Sequence, residues 1–189
     1  MILAAFRRSP RKRSIHALYG AIVAQARSPV FYTNYGVPDT VEGRFDLIVL
    51  HLVLLLHRLG RDSVAAGGIV HGHVGDTGQR LFDAFCRDLD DNLREMGVGD
   101  LAVPKRMQRF GEAFYGRLNA YDAAFAAADD RELEKALARN IFGVAGSDDR
   151  ALRLARYARA ATAQLAAVAE GALLAGNNIF PRPETFVNA

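Results

Sequence analysis

The residues of this 189-residue chain that could do chemistry are five histidines, one cysteine and a run of carboxylates. His71 and His73 form a His-x-His pair, able to hold a metal ion if a third ligand approached. Nothing nearby supplies one at diagnostic spacing. His51 lies inside "LIVLHLVLLL", where a hydrogen-bonded core histidine is the ordinary reading and a haem or quinone contact the rival. Cys86 alone excludes an internal disulfide and a multi-cysteine metal cage. Its neighbours, "LFDAFCRD", have a helical period, so the thiol is expected as a small buried filler. Asp88, Asp90, Asp91 and Glu95 could be taken for a carboxylate site. On one helix, however, Asp88 and Asp91 share a face while Asp90 points elsewhere, and Arg87 and Arg94 offset the charge. A solvated face accounts for them better than an acid–base pair. The chain has no phosphate-binding loop of the Gly-x-x-x-x-Gly-Lys type, no His-Glu-x-x-His and no Gly-x-Ser-x-Gly elbow. "GVGDLA" imitates part of a dinucleotide fingerprint but joins two predicted helices with no strand before it. The residues predict a surface, not a reactive centre: not an enzyme, with no cofactor and no metal.

One stretch breaks a local rule. In "DNLREMGVGDLAVPKRM", residues 91–107, one helix ends at Met96-Gly97 and the next begins at Pro104, so Lys105 and Arg106 fall in its first turn. Proline suits that position because it has no N–H to leave unpaired. Cations do not, since a helix N-terminus carries about half a positive charge. Acidic groups facing them would compensate, with Asp100, Asp91 and Glu95 as candidates. One version is an internal salt-bridge set fixing the angle between two helices. The other leaves Lys105 exposed as a contact for a client or partner.

The elements that must position these residues are helical. Half the residues are hydrophobic, strand formers are scarce in runs, and no Asn-Gly or Asp-Gly hairpin turn separates alternating segments. The expectation is an all-α, single-domain bundle of six to seven helices. Ser14 caps a helix to about Arg27, and Ser28-Pro29 opens a short one stopped by Gly36. Asp39 or Thr40 caps a third that ends at Gly60 and is apolar nearly all round, the mark of a central helix. Its His57 is expected to be exposed. Residues 61–76 are glycine-rich without periodicity and read as a flexible loop. Helices follow from Thr77 to Met96, Pro104 to about Ala127, Asp130 to Asn140, and Asp148 to Ala175 with Ser147 as cap. Gly111 and Gly116 suggest close helix contact on their side. The helical domain thus spans residues 14–175. Residues 1–13 form a basic head and 176–189 a tail whose prolines stop any helix.

A net charge of +3 argues against a DNA binder. The head carries Arg7, Arg8, Arg11, Lys12 and Arg13, either as a solvated tail or as an electrostatic contact with anionic lipid or the ribosome. No secretory pattern survives Arg27, Gln25 and His16, and the greasiest run is half of what a bilayer requires. These features place the chain in the cytoplasm, free or peripheral at the inner face of the membrane.

"LYGAIVAQARSPVFYTNYGVPDTVEGRFDLIVLHLVLLLHRL" and "LFDAFCRDLDDNLREMGVGDLAVPKRMQRFGEAFYGRLNAYDAA" together resemble the ubiquinol–cytochrome c chaperone family, over about Leu18 to Asn140. The resemblance implies an all-helical bacterial chaperone that helps assemble ubiquinol–cytochrome c reductase, respiratory complex III, by handling newly made cytochrome b. Mitochondrial relatives work with a small partner protein and associate with the ribosome. It directs attention to partner-binding candidates: Phe31, Tyr32, Tyr35 and Asp39 at a tyrosine-rich turn that could form an apolar groove, and Arg94, Glu95, Asp100, Lys105 and Arg106 at the odd stretch. Core packing is the alternative for the aromatics. Two rival functions remain from the residues alone: a ribosome- or RNA-binding module using the head, and a small helical enzyme or sensor for haem or quinone.

Overall fold

The computed structural model describes residues 10–65, 75–127 and 129–187. Every regular element among them is helical: α1 (Pro10–Ala26), α2 (Pro29–Thr33), α3 (Val41–Ala65), α4 (Asp76–Glu95), α5 (Val103–Ala126), α6 (Arg131–Ile141), α7 (Asp149–Ala167), α8 (Glu170–Ala175) and a one-turn 3-10 helix at Pro183–Phe186. Arg7, Arg8, His71 and His73 lie outside the described residues.

The all-α, single-domain bundle stands. α3 is its axis, because nearly every side chain from Leu47 to Leu56 is fully buried. A helix apolar on all sides has to be enclosed on all sides. α1, α4, α5, α6 and α7 do so. The α7 side is built from Ala151, Ala155, Ala158 and Ala161, all fully buried. Small side chains let that helix approach closely.

Among the residues of α3 whose side chains are described, the one buried polar residue is His51. Its Nδ1 lies 2.7 Å from the Leu47 carbonyl and its Nε2 lies 2.8 Å from the Tyr157 hydroxyl. A carbonyl can only accept, so Nδ1 carries the proton and Tyr157 donates to Nε2. Gln25 donates to the Tyr157 oxygen at 3.0 Å and to the Pro181 carbonyl at 2.9 Å. The ring is therefore a satisfied core histidine. Burial pulls its pKa down to about 4.

Several boundaries differ from the sequence expectation, each for a local reason. α1 starts at Pro10, so part of the basic head is helical. α3 passes through Gly60 to Ala65. A glycine penalty of about 1 kcal/mol does not end a helix held by so many buried side chains. His57 is half-buried rather than exposed, its Nδ1 3.0 Å from Asp122. Gly111 and Gly116 face open space, so no helix packs closely on them. α7 is capped by Asp148, which accepts from the N–H groups of Arg150 and Ala151. The Arg150 guanidinium holds its carboxyl down to about 2. Ser147 instead donates to Glu134.

The final helix is not continuous, which gives eight α-helices rather than seven among the described residues. Val168 and Ala169 are extended. Arg58 of α3 donates to the Leu165 carbonyl at 2.8 Å, satisfying a group that the break frees. α8 then turns back on α1 so tightly that a Cβ at Gly176 would lie 2.6 Å from the Ala17 carbonyl oxygen. The tail beyond it is core, not fringe. Ile179, Phe180 and Pro183 are buried. The Tyr35 hydroxyl donates to the Pro183 carbonyl at 2.7 Å.

Arg159 closes the other end of the bundle. It bonds Asp130 at 2.8 Å and the carbonyls of Ala124, Phe125, Ala127 and Asp129. The last carbonyls of a helix lack intrahelical partners, and Arg159 supplies donors there, although the Ala124 carbonyl also accepts from the Ala127 N–H at 3.3 Å. Replacing Arg159 with alanine is expected to cost about 2–4 kcal/mol in denaturant unfolding, and lysine should not restore it, because only a planar fork reaches several carbonyls at once.

His51 also sets a pH dependence. The folded chain keeps the ring neutral down to about pH 4, whereas the unfolded chain protonates it near its ordinary 6.5. Its contribution is therefore complete above about 6.5 and falls away as the pH drops toward 4. Asp46, raised to about 6 by burial beside Arg117, acts in the opposite sense over much of that window. The measurement is thus the difference in melting temperature between pH 7 and pH 5 for wild type and His51→Gln. The variant should be less stable at pH 7 and should lose less on acidification.

Candidate partner-docking site at the α4–α5 corner

α4 ends because Gly97 takes a left-handed conformation, φ +78°. The Gly97 N–H bonds the Arg94 carbonyl at 2.9 Å and the Val98 N–H bonds that of Leu93 at 3.0 Å. This paired closure satisfies the carbonyls of the last turn. Gly99 then accepts from the N–H groups of Ala102 and Val103, and the chain enters α5 with Pro104 in its first turn. Arg94 staples the connection: its Nε bonds Asp90 at 2.8 Å and its Nη1 bonds Asp100. Leu93 and Val103 are buried where the two helices meet.

The salt-bridge expectation for Lys105 and Arg106 is corrected here. Asp100 is taken by Arg94, and among the described residues neither Lys105 nor Arg106 has an ion-pair partner. Both are exposed, as are Asp91 and Glu95. The odd stretch is therefore held by the glycine closure and by Arg94, and the two cations are left facing solvent. Arg94, Glu95, Asp100, Lys105 and Arg106 do share one corner.

The tyrosine-rich turn behaves differently. Phe31 and Tyr35 are fully buried, with ring centroids 5.3 Å apart and Phe31 4.9 Å from Tyr157. Core packing, not a groove, accounts for these two. Burial pushes the Tyr35 phenol up to about 12. Tyr32 is half-buried and donates to the Ala26 carbonyl at 2.7 Å. The guanidinium of Arg44 sits 5.9 Å from its ring and is bonded to the exposed Asp39 at 2.7 Å. Gly43 fixes this turn: a Cβ there would lie 2.0 Å from the Pro38 carbonyl oxygen.

Sequence reasoning missed the most exposed apolar residue of the corner. Leu101 is 99% exposed and Met96 61%. The available signal was that Leu101 belongs to the apolar row of neither flanking helix, so no buried position was assigned to it.

Among the described residues no three His, Cys, Asp or Glu side chains are placed to hold a metal ion. A depression of about 1080 Å³, open to solvent, lies between α1 and the tail. Its only ionisable lining residues are Arg182 and Glu184. No helix among the described residues is long and apolar enough to cross a membrane.

The chain is a helical bundle built around one buried axis, with a fixed and exposed corner between α4 and α5. The chain belongs to the ubiquinol–cytochrome c chaperone family, whose profile matches residues 33–180. It is similar to ubiquinol–cytochrome c reductase complex assembly factor 1 of Drosophila melanogaster, 28% identical over 155 residues that cover 78% of this chain and 56% of the fly protein. The chain thus spans little more than half the length of that relative. The crystal structure of the Cbp3 homolog from Brucella abortus matches with a TM-score of 0.78 and 36% identity, over 97% of this chain and 98% of that one.

The unpaired cations give a prediction opposite in sign to the salt-bridge expectation. Reversing Lys105 and Arg106 to glutamate removes an unfavourable interaction with the N-terminus of α5. The melting temperature should stay level or rise by a few degrees, as read by circular dichroism. A clear drop would show that these side chains do have acidic partners.

Proposed function

We propose that this chain is a non-enzymatic assembly chaperone for ubiquinol–cytochrome c reductase that holds newly made cytochrome b through helical surfaces. The observation that carries the reading is the family match across residues 33–180, which takes in Tyr35 and Asp39 of the tyrosine turn, all of α3, the α4–α5 corner and the tail as far as Phe180. The fly relative is named as an assembly factor for the same complex. The physical reading agrees, since the chain offers shaped surface and, among the described residues, no converging reactive groups.

For the client contact we assign the exposed side of the α2–α3 turn. Tyr32 offers a half-exposed ring, and Val41, 70% exposed, is one turn from Arg44 on the same side of α3. A ring and a branched aliphatic beside the Asp39–Arg44 pair suit an apolar helix with a polar edge. The protein acts in the cytoplasm, peripheral at the inner face of the membrane where cytochrome b is inserted. The basic head, with Arg7, Arg8, Arg11, Lys12 and Arg13, contributes electrostatic attraction to that surface or to the ribosome.

Deleting the gene in its host is expected to remove the spectral signature of assembled cytochrome b, and cytochrome b should co-purify with the tagged chain from the complemented strain. A photo-crosslinker at Tyr32 should capture nascent cytochrome b, and one at the opposite end of the bundle, at Ala163, should not. Normal cytochrome b spectra in the deletion strain would overturn the reading.

A further inference from the structure

We propose that the α4–α5 corner is a foothold on an anionic bilayer: Leu101 enters the headgroup region while Lys105, Arg106 and Arg109 meet lipid phosphates. The inference rests on the peripheral placement given above and assigns it to residues outside the basic head.

A single exposed leucine is ordinary on a protein surface. This one has three unusual circumstances. First, it is the most exposed large hydrophobic side chain among the described residues, at 99%, and Met96, at 61%, opens the same connection five residues earlier. Second, the backbone beneath is fixed by the Gly97 closure and by Arg94 bridging Asp90 and Asp100. A leucine on a rigid turn is displayed, not merely loose. Third, the neighbouring cations are free. Val103 and Phe114 are buried along the inner side of α5, with Met107 and Phe110 half-buried between them. Lys105 and Arg109 are one turn apart on the outer side, and Arg106 flanks them. All three are exposed and, among the described residues, none has an ion-pair partner.

The shape selects among occupants. A groove that receives an apolar helix is concave and takes several side chains at helical spacing. This corner is convex. α4 continues from Phe85, which meets Phe45 of α3, to Glu95, about 15 Å at 1.5 Å per residue. α3 begins only one turn from Phe45, at Val41. A projecting wedge needs a surface that yields. A bilayer interface does so, accepting an apolar tip to a depth of about 5–10 Å while cations behind it meet the phosphates. A nucleic acid would use the cations and leave Leu101 in water.

The chain contains no tryptophan, so Leu101→Trp places a single reporter at the tip. The purified full chain is mixed with phosphatidylcholine vesicles, with and without phosphatidylglycerol. The expected result is co-sedimentation and a blue shift of the Leu101→Trp emission with phosphatidylglycerol only, both reversed by salt. Leu101→Asp, and Lys105→Gln with Arg106→Gln and Arg109→Gln, should each bind more weakly. The triple variant should lose roughly a hundredfold, about fivefold per cation near an anionic surface. Replacing Arg11, Lys12 and Arg13 with glutamine should leave the emission shift in place. If wild type binds these vesicles but the corner variants bind equally well, the corner is not the foothold, while the peripheral placement survives through the head. If wild type binds no vesicle, both fail. Tight binding of a single-stranded RNA that Leu101→Asp leaves unchanged, together with no emission shift on vesicles, would identify a nucleic-acid surface and overturn the proposal.

Discussion

The structure depends on one constraint: α3 has no polar side to turn toward water, so it must be enclosed over its whole length. Burying a leucine or valine contributes on the order of 1.5–3 kcal/mol, and α3 buries Leu47, Val49, Leu50 and every residue from Leu52 to Leu56. The remaining helices are arranged to meet that demand. α7 answers with alanines, α4 and α5 with phenylalanines, and the tail with Ile179 and Phe180. Among the described residues, the one imidazole that this sheath encloses fully, His51 of α3, has to be satisfied at both nitrogens. Tyr157 and Leu47 do it, and Gln25 ties the same network to the tail.

Enclosing α3 also decides what is left over for partners. Two of the three aromatics of the tyrosine turn are drawn into the sheath, leaving Tyr32 at its edge. α4 and α5 extend past the start of α3 and have little there to bury except Leu93 and Val103. Their connection is therefore free of packing duties. It is not slack, because a left-handed glycine and an arginine bonded to two aspartates define it. A surface that is rigid, exposed and exempt from core packing is where contact chemistry can be placed without loss of stability.

Much of this was legible in the sequence. α3 announced itself through ten nearly uninterrupted apolar residues, and α4 and α5 through phenylalanines at helical spacing. The family strings located both exposed regions. What escaped reading was set by contacts far apart in the chain. Nothing local in "QLAAVAEGALLAG" says that the helix must break, because the break answers to Arg58, more than a hundred residues earlier. The pairing of Asp100 with Arg94 rather than Lys105 is likewise a matter of direction, since Lys105 points outward from α5. The two prolines of the tail predict only that a helix cannot continue through it. Its burial comes from Tyr35 and Gln25, at the other end of the sequence.

That last closure has a consequence for synthesis. The greasiest segment of the chain emerges from the ribosome more than a hundred residues before its lid, around Pro183. At about 5–20 residues per second the gap is on the order of ten seconds. During that interval α3 has an open flank, and the most apolar helix of the bundle waits for its cover.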